Sequence, residues 1–207
     1  MPRVRVHQHV NPLAPFYRQA PPPVDLSVAF ADPGLPLHLD VGSARGRFLL
    51  RMAEIKPQWN FLGIEIREPL VTEANRIAAE KNLPNLHYVF CNAMLWLGRL
   101  LQNTPEGVLQ MATIQFPDPW FKKKHAKRRM VNAELVETLV DKLASEGRVF
   151  VQTDIEFLAD EIFELFKADE RLRVTTEHHN PFRIKTEREA AVESKDGRVY
   201  RRLFVKK

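Results

Sequence analysis

The stretch "LHLDVGSARGRFLL", Leu37 to Leu50, changes its hydrophobic period part-way through. Leu37, Leu39 and Val41 alternate with His38 and Asp40, the period of a strand. Gly42 and Gly46 bracket a turn, and Phe48, Leu49, Met52 and Ala53 then recur at helical spacing up to Pro57. A strand delivered into a helix through a glycine turn is the opening unit of an α/β fold.

The same alternation continues outward from that unit. "NFLGIEI" reads as a second strand and "EPLVTEANRIAAEKN" as a second helix, with Pro69 tolerated near its start and a stripe of Leu70, Ala74, Ile77 and Ala78. "LHYVFCN" is a third strand, and residues 93–103 form a short helix. "GVLQMATIQF" is a fourth strand, apolar enough for burial on both faces of a parallel sheet. "NAELVETLVDKLASEG" reads as a helix with Gly147 as its C-cap, "RVFVQTD" as a fifth strand, and "IEFLADEIFELFKAD" as a helix. "RLRVTTEH" and "RVYRRLFVKK" complete the set as two final strands. The expected architecture is a doubly wound, mostly parallel seven-stranded α/β sheet with an antiparallel C-terminal strand. In such folds ligands bind beyond the C-terminal strand ends. Asp40, Gly42 and Gly46 follow the first strand, Glu65 ends the second and Asn92 the third. Asp118 follows the fourth, and Thr153 and Asp154 follow the fifth.

Composition narrows the function classes. The 207 residues are 44% hydrophobic, which suits one domain with a sizeable core. No apolar run approaches the roughly 20 residues of a membrane span, and the basic N-terminus lacks an apolar secretory segment. The single cysteine, Cys91, fits a reducing cytosol, so a cytoplasmic protein is expected. The net charge is +5, and the six Lys and Arg of residues 122–129 exceed it, leaving about −1 for the rest of the chain. Basicity confined to one place predicts a polyanionic partner at one face, with nucleic acid ahead of membrane. Residues 1–36 hold eight of the fifteen prolines, and Arg3, Arg5, His7 and His9 make their tip basic. They read as an irregular arm outside the core, preceding a single domain over 37–207. His178 and His179 are adjacent on an expected strand and so face opposite ways, which argues against a shared metal.

The first turn does not suit a dinucleotide. Aligning Gly42 with the first glycine of G-x-G-x-x-G puts Ala44 at the second and Arg47 at the third, where helix must pack on strand. This disfavours a nicotinamide-dependent oxidoreductase. The spacing D-x-G-x-x-x-G from Asp40 to Gly46 resembles motif I of class I S-adenosylmethionine-dependent methyltransferases. Ala44 stands at that motif's middle glycine, a mild replacement where φ is negative. Glu65, close to 20 residues on, is placed for two ribose hydroxyls. Asn92 can read an adenine edge, cap the next helix, or both.

The stretch "FPDPWFKKKHAKRR", Phe116 to Arg129, resembles the signature of the bacterial tRNA (guanine-N7)-methyltransferase family. "QTD" (Gln152 to Asp154) and "TERE" (Thr186 to Glu189) resemble its next motifs, with Arg188 in place of an aromatic. The likeness runs from about residue 38 to the C-terminal residue. It implies methyl transfer from S-adenosyl-L-methionine to N7 of the variable-loop guanine of tRNA, with S-adenosyl-L-homocysteine as product. By the resemblance Asp40, Gly42, Gly46, Glu65, Asn92 and Asp118 line the cofactor site, and Asp118 is catalytic. Lys124, His125, Ala126, Lys127, Arg128 and Arg129 meet the RNA. Lys122, Asp154, Thr186, Glu187, Arg188 and Glu189 bind the substrate. The family's first acid is usually glutamate, one methylene longer than Asp40. The implied partner is tRNA, not DNA or a membrane, with the chain a monomer or homodimer.

The chemistry agrees with these residue types. N7 of guanine has a lone pair and no proton, so alkylation needs no general base. It needs alignment and stabilisation of the positive charge that develops on the base. Asp118 and Asp154 both suit that role, and a carboxylate also accepts from guanine N1–H and N2–H. Trp120 stacks on a base, seals the pocket or packs in the core. A non-catalytic RNA-binding protein on the same fold, or a methyltransferase for another RNA, would share the basic run. The former leaves Glu65, Asn92 and Asp118 without work.

Overall fold

The structure is a computed structural model that describes residues 10–176 and 178–207. Arg3, Arg5, His7 and His9 lie outside the described residues. After a 3-10 turn at Pro15–Arg18, the elements are α1 (Leu26–Ala29), β1 (Leu37–Val41), α2 (Arg47–Ile55), β2 (Asn60–Glu65), α3 (Glu68–Glu80), β3 (Leu86–Phe90), α4 (Ala93–Leu100) and β4 (Leu109–Gln115). A second 3-10 turn, Lys123–Arg128, leads to α5 (Ala133–Lys142), β5 (Leu143–Thr153), α6 (Glu156–Lys167), β6 (Leu172–Val174), α7 (Glu187–Glu193) and β7 (Tyr200–Lys206).

The seven strands form one sheet in the order β3-β2-β1-β4-β5-β7-β6. β1 to β5 are parallel, while β7 is inserted antiparallel between β5 and β6. Sheet order reverses direction between β1 and β4, and the crevice beyond their C-terminal ends is the ligand position of such a sheet. The fold expectation holds. β1 and β2 are buried along their whole length, as strands covered by helices on both faces must be.

Local chemistry sets the element boundaries. Gly46 takes φ 72° at the start of α2, and Tyr88 packs so closely on it that a Cβ would lie 2.5 Å from the ring. Pro69 sits in the first turn of α3, where its missing N–H costs no helical bond. Asn132 caps α5 by accepting from Leu135 N–H at 2.8 Å.

Four expectations change. Gly147 is not a C-cap: α5 stops at Lys142, Leu143 joins β5 opposite Leu109, and Glu146 takes the left-handed φ of 58°. The proline-rich segment is not wholly outside the core, because Val24, Leu26 and Phe30 are buried in the main hydrophobic cluster. Ala44 has φ 51°, so alanine here occupies the left-handed conformation that its replacement of glycine was expected to avoid. The sixth strand is shorter than expected: β6 ends at Val174, so His178 and His179 lie exposed in the loop after it and not on a strand, and no metal-holding cluster occurs among the described residues.

Candidate active site

The rim beyond β1, β2 and β4 gathers acids expected from the sequence. Asp40 is buried and accepts from Thr113 Oγ1 at 2.6 Å and from Gln115 Nε2 at 3.3 Å. Burial pushes its pKa up to about 6, against the pull of the Thr113 and Gln115 hydrogen bonds and with a further rise from the Glu65 charge. Thr113 uses its proton on Asp40, so its oxygen is left to accept from His38 Nε2 at 3.0 Å. That fixes the proton of the imidazole on Nε2, and burial, with the Lys56 charge, lowers the His38 pKa to about 3.

Glu65 is buried at the end of β2. It accepts from Ala44 N–H at 2.8 Å, which ties the second strand to the first turn. Arg67 donates to it from backbone N–H at 3.0 Å, Nε at 2.8 Å and Nη2 at 3.1 Å. Desolvation opposes the Arg67 charge, but the bond to Glu65 and the charges of Glu65, Asp118 and Tyr17 outweigh it and raise the pKa. Arg67 therefore stands in the field of both acids, and no periodicity or motif in the sequence marks it. Gly42 has φ 87° and an open face, since a Cβ there would meet only the Met130 side chain at 3.7 Å or beyond.

Asn92 is buried at the N-cap position of α4, but its side chain does not cap the helix. Its Nδ2 donates instead to Pro12 O at 2.8 Å and Tyr17 O at 3.2 Å. The N-terminal segment thus crosses the end of β3, where Phe16 and Tyr17 also pack on Phe90. The cap expectation is corrected, and the reason is a competing pair of carbonyls from a segment distant in sequence.

The loop after β4 divides the cationic run. Asp118 is exposed, between Phe116 at φ 51° and Trp120 at φ 44°. Lys122, Lys123, Lys124 and Lys127 are exposed, while His125 and Ala126 are half-buried. Desolvation, then the charges of Arg128, Lys124 and Lys122, lower the His125 pKa. Arg128 and Arg129 turn inward. Arg128 packs 5.0 Å from the centroid of the Trp120 ring, and His125 meets the same ring edge-on. Arg129 donates to Pro119 O at 3.0 Å, pairs with Glu161 and lies over Phe157. It is a brace for the Pro-Asp-Pro-Trp loop. A cavity of about 620 Å³ behind this turn, bordered by Met94, Arg129, Val131 and Glu161, lies away from Asp40 and Glu65. The acids at the switch point are the better guide to chemistry.

The C-terminal motif approaches from the other side. Asp154, half-buried after β5, pairs with Arg188, and Glu187 pairs with Arg47 of α2. Thr186 caps α7 by accepting from Glu189 N–H at 3.1 Å. Thr186 is half-buried and Glu187 and Arg188 are exposed, but Glu189 is completely buried.

A family model described as "Putative methyltransferase" matches residues 35–202. A tRNA (guanine-N(7)-)-methyltransferase of Trichormus variabilis is 49% identical over 99% of this chain and 97% of its own length. One of Synechococcus elongatus is 51% identical over 100% of this chain and 98% of its own. The chain belongs to the tRNA (guanine-N7-)-methyltransferase family. The likeness to these relatives extends through the proline-rich segment, because the alignments span almost the whole chain. Among solved structures, the antibiotic-resistance methyltransferase Kmr superposes with TM-score 0.61 at 19% identity, covering 88% of this chain and 91% of its own. The aminoglycoside resistance methyltransferase NpmB1 gives 0.57 at 18% identity over 83% and 87%. Both share the class I methyltransferase fold. Among the described residues no helix is long and apolar enough to cross a membrane.

Proposed function

We propose that this chain transfers the methyl group of S-adenosyl-L-methionine to N7 of a guanine in tRNA, releasing S-adenosyl-L-homocysteine. The observation that carries the reading is the convergence of Asp40, Glu65 and Asp118 at the β1/β4 switch point beside four exposed lysines. The donor set suits the cofactor. Asp40 offers a buried carboxylate to a cationic group, Glu65 would take ribose hydroxyls in place of the Arg67 donors that fill it here, and the open face of Gly42 lets a ligand approach the backbone. Bound S-adenosyl-L-methionine supplies an activated methyl on a sulfonium, which needs no further activation by the protein.

The protein's own residues align and stabilise. Guanine N7 attacks with its lone pair, so no side chain must remove a proton. Positive charge grows on the purine as the sulfonium is neutralised, and Asp118 answers that charge. Asp154 is the second acid at this rim, held by Arg188. Lys122, Lys123, Lys124 and Lys127 meet phosphates, which position the RNA without reading its sequence. Phe121 is 68% exposed and packs edge-on with Phe157, offering a ring to an unstacked base.

The test is incubation of unmodified tRNA with methyl-labelled S-adenosyl-L-methionine, followed by nucleoside analysis. The expected product is 7-methylguanosine in the variable loop. Label in another nucleoside, or none in the tRNA, would overturn the reading. Asp118→Asn keeps the shape and removes the charge, so single-turnover methylation should slow by about 10²–10³-fold while tRNA affinity changes little. A wild-type rate with weakened tRNA binding would make Asp118 a positioning residue and transfer its role to Asp154.

A further inference from the structure

Three side chains beneath the site, Gln115, Gln152 and Glu189, join its two halves. Gln115 and Gln152 are register partners on β4 and β5, and Gln152 is the register partner of Arg201 on β7. Gln115 Nε2 donates to Asp40 Oδ1, and Gln115 Oε1 accepts from Gln152 Nε2 at 2.9 Å. The same Gln152 Nε2 donates to Glu189 Oε2 at 3.1 Å, and Gln152 Oε1 accepts from Arg201 Nε at 3.2 Å. Glu189 also accepts from Arg201 Nη2 at 2.8 Å and from Asn180 Nδ2 at 2.8 Å.

The two carboxylates orient both amides. An ionised carboxylate only accepts, so Gln152 must turn its amide nitrogen to Glu189. That nitrogen also faces Gln115, which must therefore present its carbonyl. The Gln115 amide nitrogen is left for Asp40. Reversing either amide would set oxygen against oxygen, at a fully buried position for Gln152 and a half-buried one for Gln115, which is costly. The orientation of Gln115 beneath the first turn and that of Glu189 beneath Thr186–Arg188 are thus set together. A second anchor reinforces the link. Phe182, just upstream of this motif, stacks on His38 of β1 at 5.3 Å and packs edge-on against Phe48 and Phe150.

Glu189 has no exposed surface, so it cannot touch a substrate. We infer that Gln115, Gln152 and Glu189 are positioning residues that make methyl-donor binding at Asp40 and RNA binding at Thr186–Arg188 cooperative. This inference rests on the function proposed above. Coupling between two sites is a ratio of affinities and is reciprocal, which separates it from a merely structural role. A residue that only holds the fold together lowers both affinities and leaves the ratio intact.

The experiment is calorimetric titration of S-adenosyl-L-homocysteine, which cannot methylate, into the full-length protein with and without saturating unmethylated tRNA. In the wild type, tRNA should tighten the binding by a factor within about 5–150-fold, the usual range of such coupling. Gln115→Met has nearly the same volume and removes both amide bonds, and it sits at the half-exposed rim where the fold tolerates change. It should bring the factor close to unity while each ligand still binds alone. Gln152→Met should do the same. If Gln152→Met does not fold, Gln115→Met decides the matter by itself. A Gln115→Met protein that keeps the wild-type factor overturns the inference. Wild-type protein that binds both ligands without coupling also overturns it and leaves the functional reading standing. Wild-type protein that binds no tRNA overturns both.

Discussion

Asp40 is buried and accepts two hydrogen bonds, yet a cationic ligand favours it ionised. Burial holds its carboxyl proton up to about pH 6, whereas an unfolded aspartate releases it near 3.8. Between those values the native state binds more protons than the unfolded state, so stability falls as pH rises through the window. Above pH 6 the full cost is present, about 3 kcal/mol at about 1.36 kcal/mol for each tenfold change in proton affinity. Asp40→Asn should therefore gain stability over the wild type at pH 8 and lose that advantage below pH 4, while binding S-adenosyl-L-methionine more weakly. Urea unfolding of both proteins across this range is the measurement, and a difference independent of pH would contradict the argument. His38 acts oppositely: its folded pKa of about 3 lies below the ordinary 6.5, so its contribution is lost as pH falls through that interval. Asp40, Glu65 and Asp118 are legible in the sequence because acids at strand ends interrupt apolar runs. Gln115 is not, since only the sheet order makes Asp40 its neighbour, and Arg67 is not, since no spacing marks an arginine that turns back on Glu65 two residues before it.

At the scale of elements, the turn Lys123–Arg128 and its flanks separate into two working parts. The exposed Lys122, Lys123, Lys124 and Lys127 stand apart from the internal packing that engages Arg128 and Arg129. Replacing these four lysines with alanine should weaken tRNA binding and flatten its salt dependence, by about 0.7–0.9 in log–log slope for each phosphate that is no longer neutralised. Melting temperature should stay near the wild-type value. Arg129→Ala should behave differently, because it deprives Pro119 O and Glu161 of a half-buried donor and uncovers Phe157. A loss of about 1–3 kcal/mol in stability is expected from the unpaired groups. Fluorescence-detected unfolding and tRNA titration over a salt series would distinguish the two classes; equal slopes in the lysine variant and the wild type would remove the turn from the RNA interface. Sequence recognises six cations in this run but cannot divide them, because the division depends on Glu161 and Phe157 of α6 lying underneath. The end of α5 departs from its sequence pattern for a related reason. "LASEG" has helical propensity, but Leu143 finds a buried partner position opposite Leu109 in the sheet, and tertiary pairing overrides local preference.

For the whole molecule, the alternation of strands and helices makes the parallel part of the sheet legible, while the insertion of β7 between β5 and β6 is settled by pairings far apart in sequence. The N-terminal segment is least legible, because prolines report what a backbone cannot do and say little about what its side chains bury. Val24, Leu26 and Phe30 enter the main core, Val24 N–H donates to Leu100 O at 2.8 Å, and Ala31 N–H donates to Pro84 O at 3.1 Å. Burial of three such side chains is worth about 1.5–3 kcal/mol each, so roughly 5–9 kcal/mol as an upper estimate. That is comparable with the whole stability of a typical domain, about 5–15 kcal/mol. The folding unit should therefore begin near residue 22 and not at residue 37. A chain starting at Pro22 keeps all three side chains and loses, among the described contacts, the Pro12 and Tyr17 carbonyls on Asn92 and the Phe16 and Tyr17 rings on Phe90. It should melt cooperatively, a few degrees below the full chain, since about 1 kcal/mol shifts a domain of this size by roughly 2–4 °C. A chain starting at Leu37 should show no cooperative transition and should expose apolar surface where α1 packed. Scanning calorimetry of the two truncations against the full chain would decide, and a cooperative transition in the Leu37 chain would return the boundary to residue 37.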